Sequence, residues 1–453
     1  MVNDWLETTL GEVILTNHQS YSKNDNWSFI NYLDTGNITE NNISDVQYLE
    51  VGIDKIPSRA KRKVDSGDII YSTVRPNQKH FGVIRNPLDN MLVSTGFTTI
   101  RCKSAEADTN FIYWFLVQPQ IIEHLQSIGE QSASAYPSIK PSDIESLDIQ
   151  LPPIEEQKAI AHILGSLDDR IELNRQMNET LEAMAQALFK SWFVDFDPVI
   201  DNALVSGKPI PDEFIERAEQ RKAIEKKDNS DIQSLFPDEF EFTEEMGWIP
   251  KGWEVSKLGE YIEVKRGGSP RPIHDYLVPK GLPWVKISDA TASNSRFLVE
   301  TKQFIKPEGL NKTTLLKKGS LILSNSATPG LPKFLDLDAC IHDGWLHFPK
   351  KKIFTDNYLY QLFLVVRQEL LMQGNGSVFT NLKTDILKNH MVVVPNIDVL
   401  NYFDNWINSF HNKIHAVQID VDNLSRIRDT LLPKLMSGEL RIPDAARLVD
   451  EII

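Results

Sequence analysis

Two long apolar repeats constrain this chain more than any other feature of its sequence. From residue 160, apolar side chains recur alternately four and three positions apart, at Ile160, Leu164, Leu167, Ile171, Leu181 and Leu188. The same spacing returns 243 residues later, at Phe403, Ile407, Phe410, Ile414, Val417, Leu424 and Leu431. A heptad seam this long is typical of a supercoiled helix, which must cover its apolar edge with a partner. We therefore predict two long helices that pair with each other as an antiparallel coiled coil.

The repeat extends beyond the two helices. Trp5, Leu10 and Gly11 recur 248 residues later, beginning at Trp253. Short runs typical of β-strands follow in both halves, at 64–74, 91–101 and 144–151 and again at 316–324, 340–348 and 387–394. A helical pattern at 110–125 matches one at 357–371. The sequence therefore predicts an α+β chain with an internal pseudo-twofold repeat, in which two mixed α/β globules are separated by the two long helices.

These patterns predict six segments. They are a first globule at 1–152, a first long helix at 153–197, a charged linker at 198–247, a second globule at 248–395, a second long helix at 396–436 and a C-terminal tail at 437–453. The acidic part of the linker, 228–247, is expected to be irregular. Proline lacks a backbone N–H, so we expect Pro433 to end or bend the second helix near Leu432.

Composition limits the classes of partner. The chain has 48 Lys and Arg against 63 Asp and Glu, a net charge of −15, which disfavours strong binding to DNA phosphates by the chain as a whole. Local basic clusters remain, and one of them, formed by Lys265, Arg266 and Arg271, is a candidate for contact with DNA. Neither a leader nor a membrane-spanning run is predicted, and Cys102 and Cys340 fit a reducing compartment, so we expect a cytoplasmic protein without membrane contact.

Motifs of catalysis or cofactor binding are missing from the sequence. It contains no phosphate-binding GxxxxGK loop, no GxGxxG, no GxSxG and no HExxH. His411 and His415 have metal-ligand spacing but lack a third ligand, and we expect them on a solvated helix flank. Acid-base catalysis by Asp195 and Asp197 is disfavoured by their position in a linker. We therefore expect no catalytic residues, no cofactor and no metal.

Recognition chemistry is concentrated in two loops at related positions of the repeat. The first carries Arg75, Asn77, Gln78 and Lys79, which are side chains that commonly bind base edges and phosphates. The second carries Asn325 and Ser326 and is followed by Lys333. Different polar residues at a shared position would suit the recognition of two different sequences. Ordinary turn propensity and solvated surface charge explain the same residues equally well.

The order globule, long helix, globule, long helix resembles the specificity subunit of type I restriction-modification enzymes. Four strings add to the resemblance, at 151–157 (LPPIEEQ), 188–196 (LFKSWFVDF), 249–253 (IPKGW) and 432–440 (LPKLMSGEL). The second half departs from the pattern, because Pro395-Asn396-Ile397-Asp398 stands where the first half has the PPIEEQ string. Docking of partners at the two helices is therefore not expected to be equivalent.

The resemblance implies a function without catalysis. Each globule would be a target recognition domain that reads one half of a bipartite site in double-stranded DNA, and the helices would set the spacer between the halves. Two modification subunits, which carry the adenine methyltransferase activity, would dock on this scaffold, and ATP-dependent restriction subunits could join them. The alternative is a coiled-coil scaffold that binds proteins only, which the negative charge favours. A DNA footprint would distinguish the two.

Overall fold

A computed structural model describes residues 5–103, 105–132, 136–224, 230–292, 294–373 and 381–450. The chain divides into two compact units, one comprising Met1–Leu173 with Asp420–Ile453 and the other Asn174–Ile419. The long helices, Ile154–Phe193 and Ile397–Met436, each contribute one end to each unit.

The first unit is built on two four-stranded sheets. The first sheet is antiparallel, and its strands lie in the order Ile14–Thr16, Phe97–Cys102, Asp68–Ser72 and Phe81–Ile84. The strands of the second sheet lie in the order Gln47–Glu50, Phe29–Leu33, Met91–Ser94 and Ala60–Lys63. Strands Leu6–Thr9 and Asp148–Leu151 pair antiparallel, and Ile38–Thr39 pairs with Asn42–Ile43. The helices are Leu10–Val13, Thr109–Leu116, Pro119–Glu130, Pro141–Glu145 and Ile442–Asp450.

The second unit repeats this plan with five-stranded sheets. The strands of one sheet lie in the order Ile262–Arg266, Trp345–Lys351, Leu321–Ser324, Pro332–Leu335 and Phe297–Leu298. The strands of the other sheet lie in the order Leu277–Val278, Phe304–Ile305, Leu282–Val285, Ala339–Ile341 and Thr314–Leu316. Strand Glu254–Lys257 pairs with Met391–Val394, and Phe240–Thr243 pairs with Gly247–Pro250. The helices are Asp197–Ser206, Ile215–Lys222, Ser230–Gln233, Leu258–Tyr261, Ile287–Thr291, Asp356–Met372 and Thr384–Asn389.

The long helices pair as predicted. In the first unit, Leu164 near the start of the first helix shares an apolar core with Leu435 near the end of the second. In the second unit, Phe189 near the end of the first helix meets Phe403 near the start of the second, with ring centroids 5.8 Å apart. The order of partners along one helix is therefore reversed along the other, which confirms the antiparallel pairing.

The seam residues differ in burial. Fully or nearly fully buried are Ile160, Leu164, Leu167, Ile171, Phe403, Ile407, Ile414, Val417, Leu424 and Leu431. Leu181, Leu188 and Phe410 are only partly buried. Phe189, next to Leu188, is buried instead. A straight helix has 3.6 residues per turn, whereas a heptad repeat corresponds to 3.5. The residue that faces the partner helix therefore shifts by one position in the sequence along a long helix.

Two predicted elements have different boundaries because of proline. The predicted helix at 110–125 is two helices, and Pro119 begins the second of them at a position where its missing N–H costs no hydrogen bond. Pro141 likewise begins a short helix in which the Lys140 N–H donates to Asp143 Oδ2 at 2.7 Å. The strand predicted at 144–151 therefore covers only Asp148–Leu151.

Of the two alternatives predicted for Pro433, that it ends the second helix near Leu432 is wrong. The helix continues through Pro433 to Met436, and the chain turns at Gly438, where φ is +71°. Leu431, Leu432 and Leu435 are all buried, and their packing offsets the single hydrogen bond that Pro433 cannot make.

The expectation of an irregular connection at 228–247 is wrong for two parts of this segment, which form the short helix Ser230–Gln233 and the hairpin strand Phe240–Thr243. Residues 228 and 229 lie outside the described residues. The preceding helix Asp197–Ser206 is also well packed, since Val199 and Ala203 are fully buried. Its acidic residues are neutralised from the neighbouring helix: Arg217 Nε donates to Asp197 Oδ1 at 2.8 Å, and Arg221 pairs with Asp201.

Candidate nucleic-acid interface

Loop 1, which we define as residues 73–80, follows the buried strand Asp68–Ser72. The Thr73 N–H donates to the Gly96 carbonyl at 2.8 Å, and the Thr73 carbonyl accepts the Ile139 N–H at 2.8 Å. An isolated bridge joins Val74 to Ser138. The base of the loop is therefore fixed on two sides by backbone hydrogen bonds.

Loop 2, residues 325–331, has the same framework in the second unit. The Asn325 N–H donates to the Gly344 carbonyl at 2.8 Å, and the Asn325 carbonyl accepts the Leu382 N–H at 2.7 Å. A bridge joins Ser326 to Asn381. Each bond has its counterpart in loop 1 at the matching position of the repeat.

The two loops also share an uncommon backbone conformation. Arg75 has φ of +50°, and Ala327, at the corresponding position, has φ of +57°. Residues other than glycine rarely adopt this left-handed region. The same strained position thus carries a long cationic side chain in one loop and a single methyl group in the other.

Loop 1 exposes most of the predicted side chains. Asn77, Gln78 and Lys79 are exposed, and Arg75 is partly buried. The Lys79 ammonium pairs with Glu40 at 2.6 Å. The Arg75 guanidinium lies over the ring of Tyr136, 4.7 Å from its centroid.

Loop 2 exposes fewer of its predicted side chains. Asn325 is 3% exposed, whereas Ser326 is partly exposed. Lys333 is 4% exposed, and its ammonium donates to the Ser295 carbonyl inside the second unit. Burial lowers the pKa of Lys333 to about 8. Lys333 is therefore an interior residue and does not form part of the surface around loop 2.

Asp343 brings the predicted cations Arg266 and Arg271 to loop 2. Arg266 Nη2 donates to the Asp343 carbonyl at 2.8 Å, and Arg271 Nη2 lies 3.2 Å from Asp343 Oδ2. The next residue, Gly344, is the one that accepts the Asn325 N–H. Lys265 is paired with Glu263 at 3.1 Å. Loop 2 thus has two exposed guanidinium groups at its base, although it carries no arginine itself.

Sequence reasoning missed Tyr136 and Asp343. Tyr136 lies in a stretch of small residues and prolines without periodicity, and nothing in the sequence places it beside Arg75. Asp343 would have been found by its position in the repeat, since it precedes the glycine that corresponds to Gly96.

One group of possible metal ligands occurs among the described residues, formed by His18, Asp65 and Asp68. Arg101 already binds both carboxylates: its Nη2 donates to Asp65 Oδ2 at 2.6 Å and to Asp68 Oδ2 at 2.7 Å. The guanidinium compensates the two negative charges in the place where a metal ion would have to do so.

The expectation that His411 and His415 lie on a solvated flank is wrong. The His411 ring packs edge-on against Phe297 and Phe334, with centroid distances of 5.0 and 4.7 Å. His415 Nε2 is 2.8 Å from Asp336 Oδ1. Burial lowers the pKa of His411 to about 4. Both side chains attach the second long helix to the sheets of the second unit.

None of the helices in the described part of the chain is both long and apolar enough to cross a bilayer.

A comparison of this sequence with models of known protein families gives a match in both halves of the chain. The family described as "Type I restriction modification DNA specificity domain" matches residues 3–183 and 250–417. The two matches cover nearly all of both globules and the first part of each long helix, which agrees with the internal repeat.

Individual proteins agree with this match. The type I restriction enzyme HindI specificity subunit of Haemophilus influenzae is 28% identical over 477 residues, covering 97% of this chain and 100% of that protein. The MjaIX specificity subunit of Methanocaldococcus jannaschii is 25% identical, covering 90% of this chain and 87% of that protein. The crystal structure of a type I restriction-modification S subunit from M. genitalium has a similar fold, with a TM-score of 0.54, 13% identity and coverage of 96% and 97%.

Proposed function

Because this chain belongs to the family of type I restriction-modification DNA specificity proteins, it recognises DNA sequence and is not itself a catalyst, and we propose that its two globules each read one half of a bipartite site. In this proposal residues 1–152 and 248–395 are the two target recognition domains. Residues 153–197 and 396–436 are the helical regions that set the spacer. We place its activity in the cytoplasm, with the cell's DNA.

One observation carries the proposal. Loops 1 and 2 have the same backbone framework, including the left-handed residue, but Arg75 stands in one where Ala327 stands in the other. A shared framework with different side chains is what two domains need if they recognise different bases by the same geometry, because side chains at base edges carry sequence information.

The proposed DNA contacts follow from exposure. In the first half-site they are Arg75, Asn77, Gln78 and Lys79, on loop 1. In the second half-site they are Ser326 on loop 2 and the neighbouring Arg266 and Arg271. Arginine is the usual bidentate partner of guanine, and asparagine or glutamine that of adenine.

We further propose that two modification subunits dock on this chain and that restriction subunits join the same complex. The negative total charge of this chain supports that assembly, since subunits around the DNA would supply much of the phosphate neutralisation. The chain alone should then bind DNA weakly. Gel-shift titration with and without the modification subunits tests this, and tight specific binding by the chain alone would contradict it.

The experiment that tests two-domain recognition is an exchange of residues 2–150 for the corresponding segment of another family member. The hybrid is produced with the modification subunits, and methylated adenines in the host DNA are mapped by sequencing. We expect a new first half-site and an unchanged second half-site. A change in both half-sites, or in neither, would reject the proposal.

The role of the helices is tested separately. Matched insertions in both long helices should lengthen the nonspecific spacer and leave both half-sites unaltered, because half-site spacing in DNA-binding proteins is a geometric property of the scaffold. An unaltered spacer in the methylation map would show that the helices do not set it.

A further inference from the structure

We propose that Tyr136 is a positioning residue that holds the Arg75 guanidinium for recognition of a guanine in the first half-site. This inference rests on the proposed function of loop 1. A residue outside loop 1 would thus help to determine sequence specificity, and the base that the loop reads would be guanine.

The ring of Tyr136 provides a surface, which we call the platform, against which the Arg75 guanidinium lies. The Arg75 guanidinium carbon lies 4.7 Å from the centre of the Tyr136 ring, within the range of a cation–π contact. The Arg75 N–H also donates to the carbonyl of Pro137, next to Tyr136, at 2.9 Å. Backbone and side chain of Arg75 are therefore both held by the same short segment, 136–137.

The charge of Arg75 is available to a ligand. Among the described residues, Arg75 has no carboxylate within ion-pair distance, whereas Lys79 is paired with Glu40 at 2.6 Å and Arg271 with Asp343 at 3.2 Å. A cation on an aromatic face keeps its positive charge, and its hydrogen-bond donors are not consumed by an acid.

The contact with Tyr136 also leaves the hydrogen-bond donors of the Arg75 guanidinium available. A guanidinium that lies on a ring uses its flat face for that contact and keeps the N–H groups at its edge for other partners. Two parallel N–H groups match the O6 and N7 acceptors that guanine shows in the major groove. Tyr136 itself is 56% exposed, so the platform lies at the surface where DNA would approach.

Loop 2 provides an internal comparison. Ala327 occupies the position of Arg75 with nearly the same φ, but its methyl group has no hydrogen-bond donor for the guanine O6 and N7 acceptors. Guanine recognition by this position is therefore predicted for the first half-site and excluded for the second.

The test uses the full chain with its modification subunits and maps methylated adenines in host DNA. The variants are Arg75→Ala, Tyr136→Ala and Tyr136→Phe, with Tyr48→Ala as a control. Tyr48 is an equally exposed tyrosine (59%) in the first unit, and its ring stacks on Phe29 with centroids 5.4 Å apart, not on a cation.

We expect Arg75→Ala to reduce the preference for one guanine of the first half-site by about fivefold to a hundredfold. Tyr136→Ala should reduce the preference at the same base by about two- to fivefold, and Tyr136→Phe should retain it because the ring face remains. The second half-site should be unaltered in every variant, which also shows that the chain is folded. Tyr48→Ala should alter neither half-site.

The possible outcomes distinguish the reading of DNA by Arg75 from the positioning role of Tyr136. If Arg75→Ala leaves the first half-site unaltered, or if that half-site contains no guanine, loop 1 does not read DNA through Arg75 and the inference fails with it. If Arg75→Ala removes the preference but Tyr136→Ala does not weaken it, only the role of Tyr136 is rejected. The same loss in Tyr136→Phe as in Tyr136→Ala would also reject the cation–π platform.

Discussion

Arg428 of the second long helix donates a hydrogen bond from Nη1 to Asp168 Oδ1 of the first, at 2.7 Å. Both side chains are largely buried, with exposed fractions of 17% and 20%. Arg428 occupies a seam position whose counterpart in the first helix is Ala185, which is fully buried. Arg428 also donates to Asp429 of its own helix, from Nε at 3.0 Å and from Nη2 at 2.9 Å. A charged residue in an apolar seam is tolerated where acids neutralise it, and because Asp168 lies on the other helix, the Arg428–Asp168 pair favours one alignment of the two helices in the first unit.

Replacing Arg428 by Met should destabilise the first unit by about 2 kcal/mol, because Asp168 would keep a charge in a largely buried site without its partner. Urea unfolding followed by circular dichroism measures the change. The control is Arg85→Met, which removes the partner of the neighbouring Asp169. That pair is exposed at 57% and 65%, so its loss should cost less than about 1 kcal/mol. Equal losses in both variants would contradict the role of Arg428.

Glu182 of the first long helix is the partner of a buried arginine. Arg296 is 1% exposed, donates to both carboxylate oxygens of Glu182 and lies 4.6 Å from the ring centre of Tyr360. Glu182→Gln should lower the stability of the second unit by about 3 kcal/mol or more, since the guanidinium would remain buried without a counter-charge. Glu179→Gln, an exposed change one turn earlier on the same helix, should have an effect below about 0.5 kcal/mol in the same unfolding assay.

Sequence periodicity predicted the long helices well because the spacing of the apolar residues and the length over which this spacing persists indicate the same structure. A seam that persists over 40 residues fixes both the helical state and the need for a partner, and the first helix indeed spans Ile154–Phe193. The repeat added a second, independent signal, since two copies of one template must form the same elements. The repeat is clearest at the bases of loops 1 and 2, where Thr73 and Asn325 make equivalent backbone hydrogen bonds.

Burial of polar residues was not predictable from the sequence. Residue type places Lys333 at the surface, but its strand runs through the second unit, and its ammonium meets a carbonyl there. In the PPIEEQ string, Gln157 is fully buried, and its Nε2 donates to the carbonyls of Glu106 and Pro152, at 2.7 Å each. Such contacts join segments distant in the sequence, and no local pattern encodes them.

Acidification should destabilise the second unit through His411. Burial between aromatic rings lowers its pKa from 6.5 to about 4, and nearby Arg296 and His415 act in the same direction. The unfolded chain therefore binds a proton more readily than the folded chain, so stability is full above about pH 6.5 and is lost as the pH falls from 6.5 toward 4. Burial also lowers the pKa of His342, His347 and His390, which contribute with the same sign.

His411→Phe should remove part of this pH dependence. A phenyl ring can keep the contacts with Phe297 and Phe334, and the buried Nδ1 of His411 has no hydrogen-bond partner in the described part of the chain to lose. Unfolding midpoints in urea at pH 7 and pH 5 should differ less for this variant than for the unmodified chain. His274→Gln, at an exposed position, should leave the difference unaltered. An unaltered difference in His411→Phe would reject the assignment.

Arg271→Ala should weaken DNA binding by the complex with modification subunits and reduce the salt dependence of that binding. If Arg271 neutralises one phosphate beside loop 2, the slope of log K against log salt concentration should fall by about 1. Lys317→Ala is a matched control: both side chains are 79% exposed and each pairs with one aspartate, Arg271 with Asp343 at 3.2 Å and Lys317 with Asp338 at 2.6 Å. Fluorescence anisotropy with the mapped duplex between 50 and 200 mM salt, a range in which phosphate contacts are strongly screened, measures both slopes. A smaller slope in Arg271→Ala alone places this guanidinium on the DNA backbone, whereas equal slopes in the two variants would mean that Arg271 serves only to pair with Asp343.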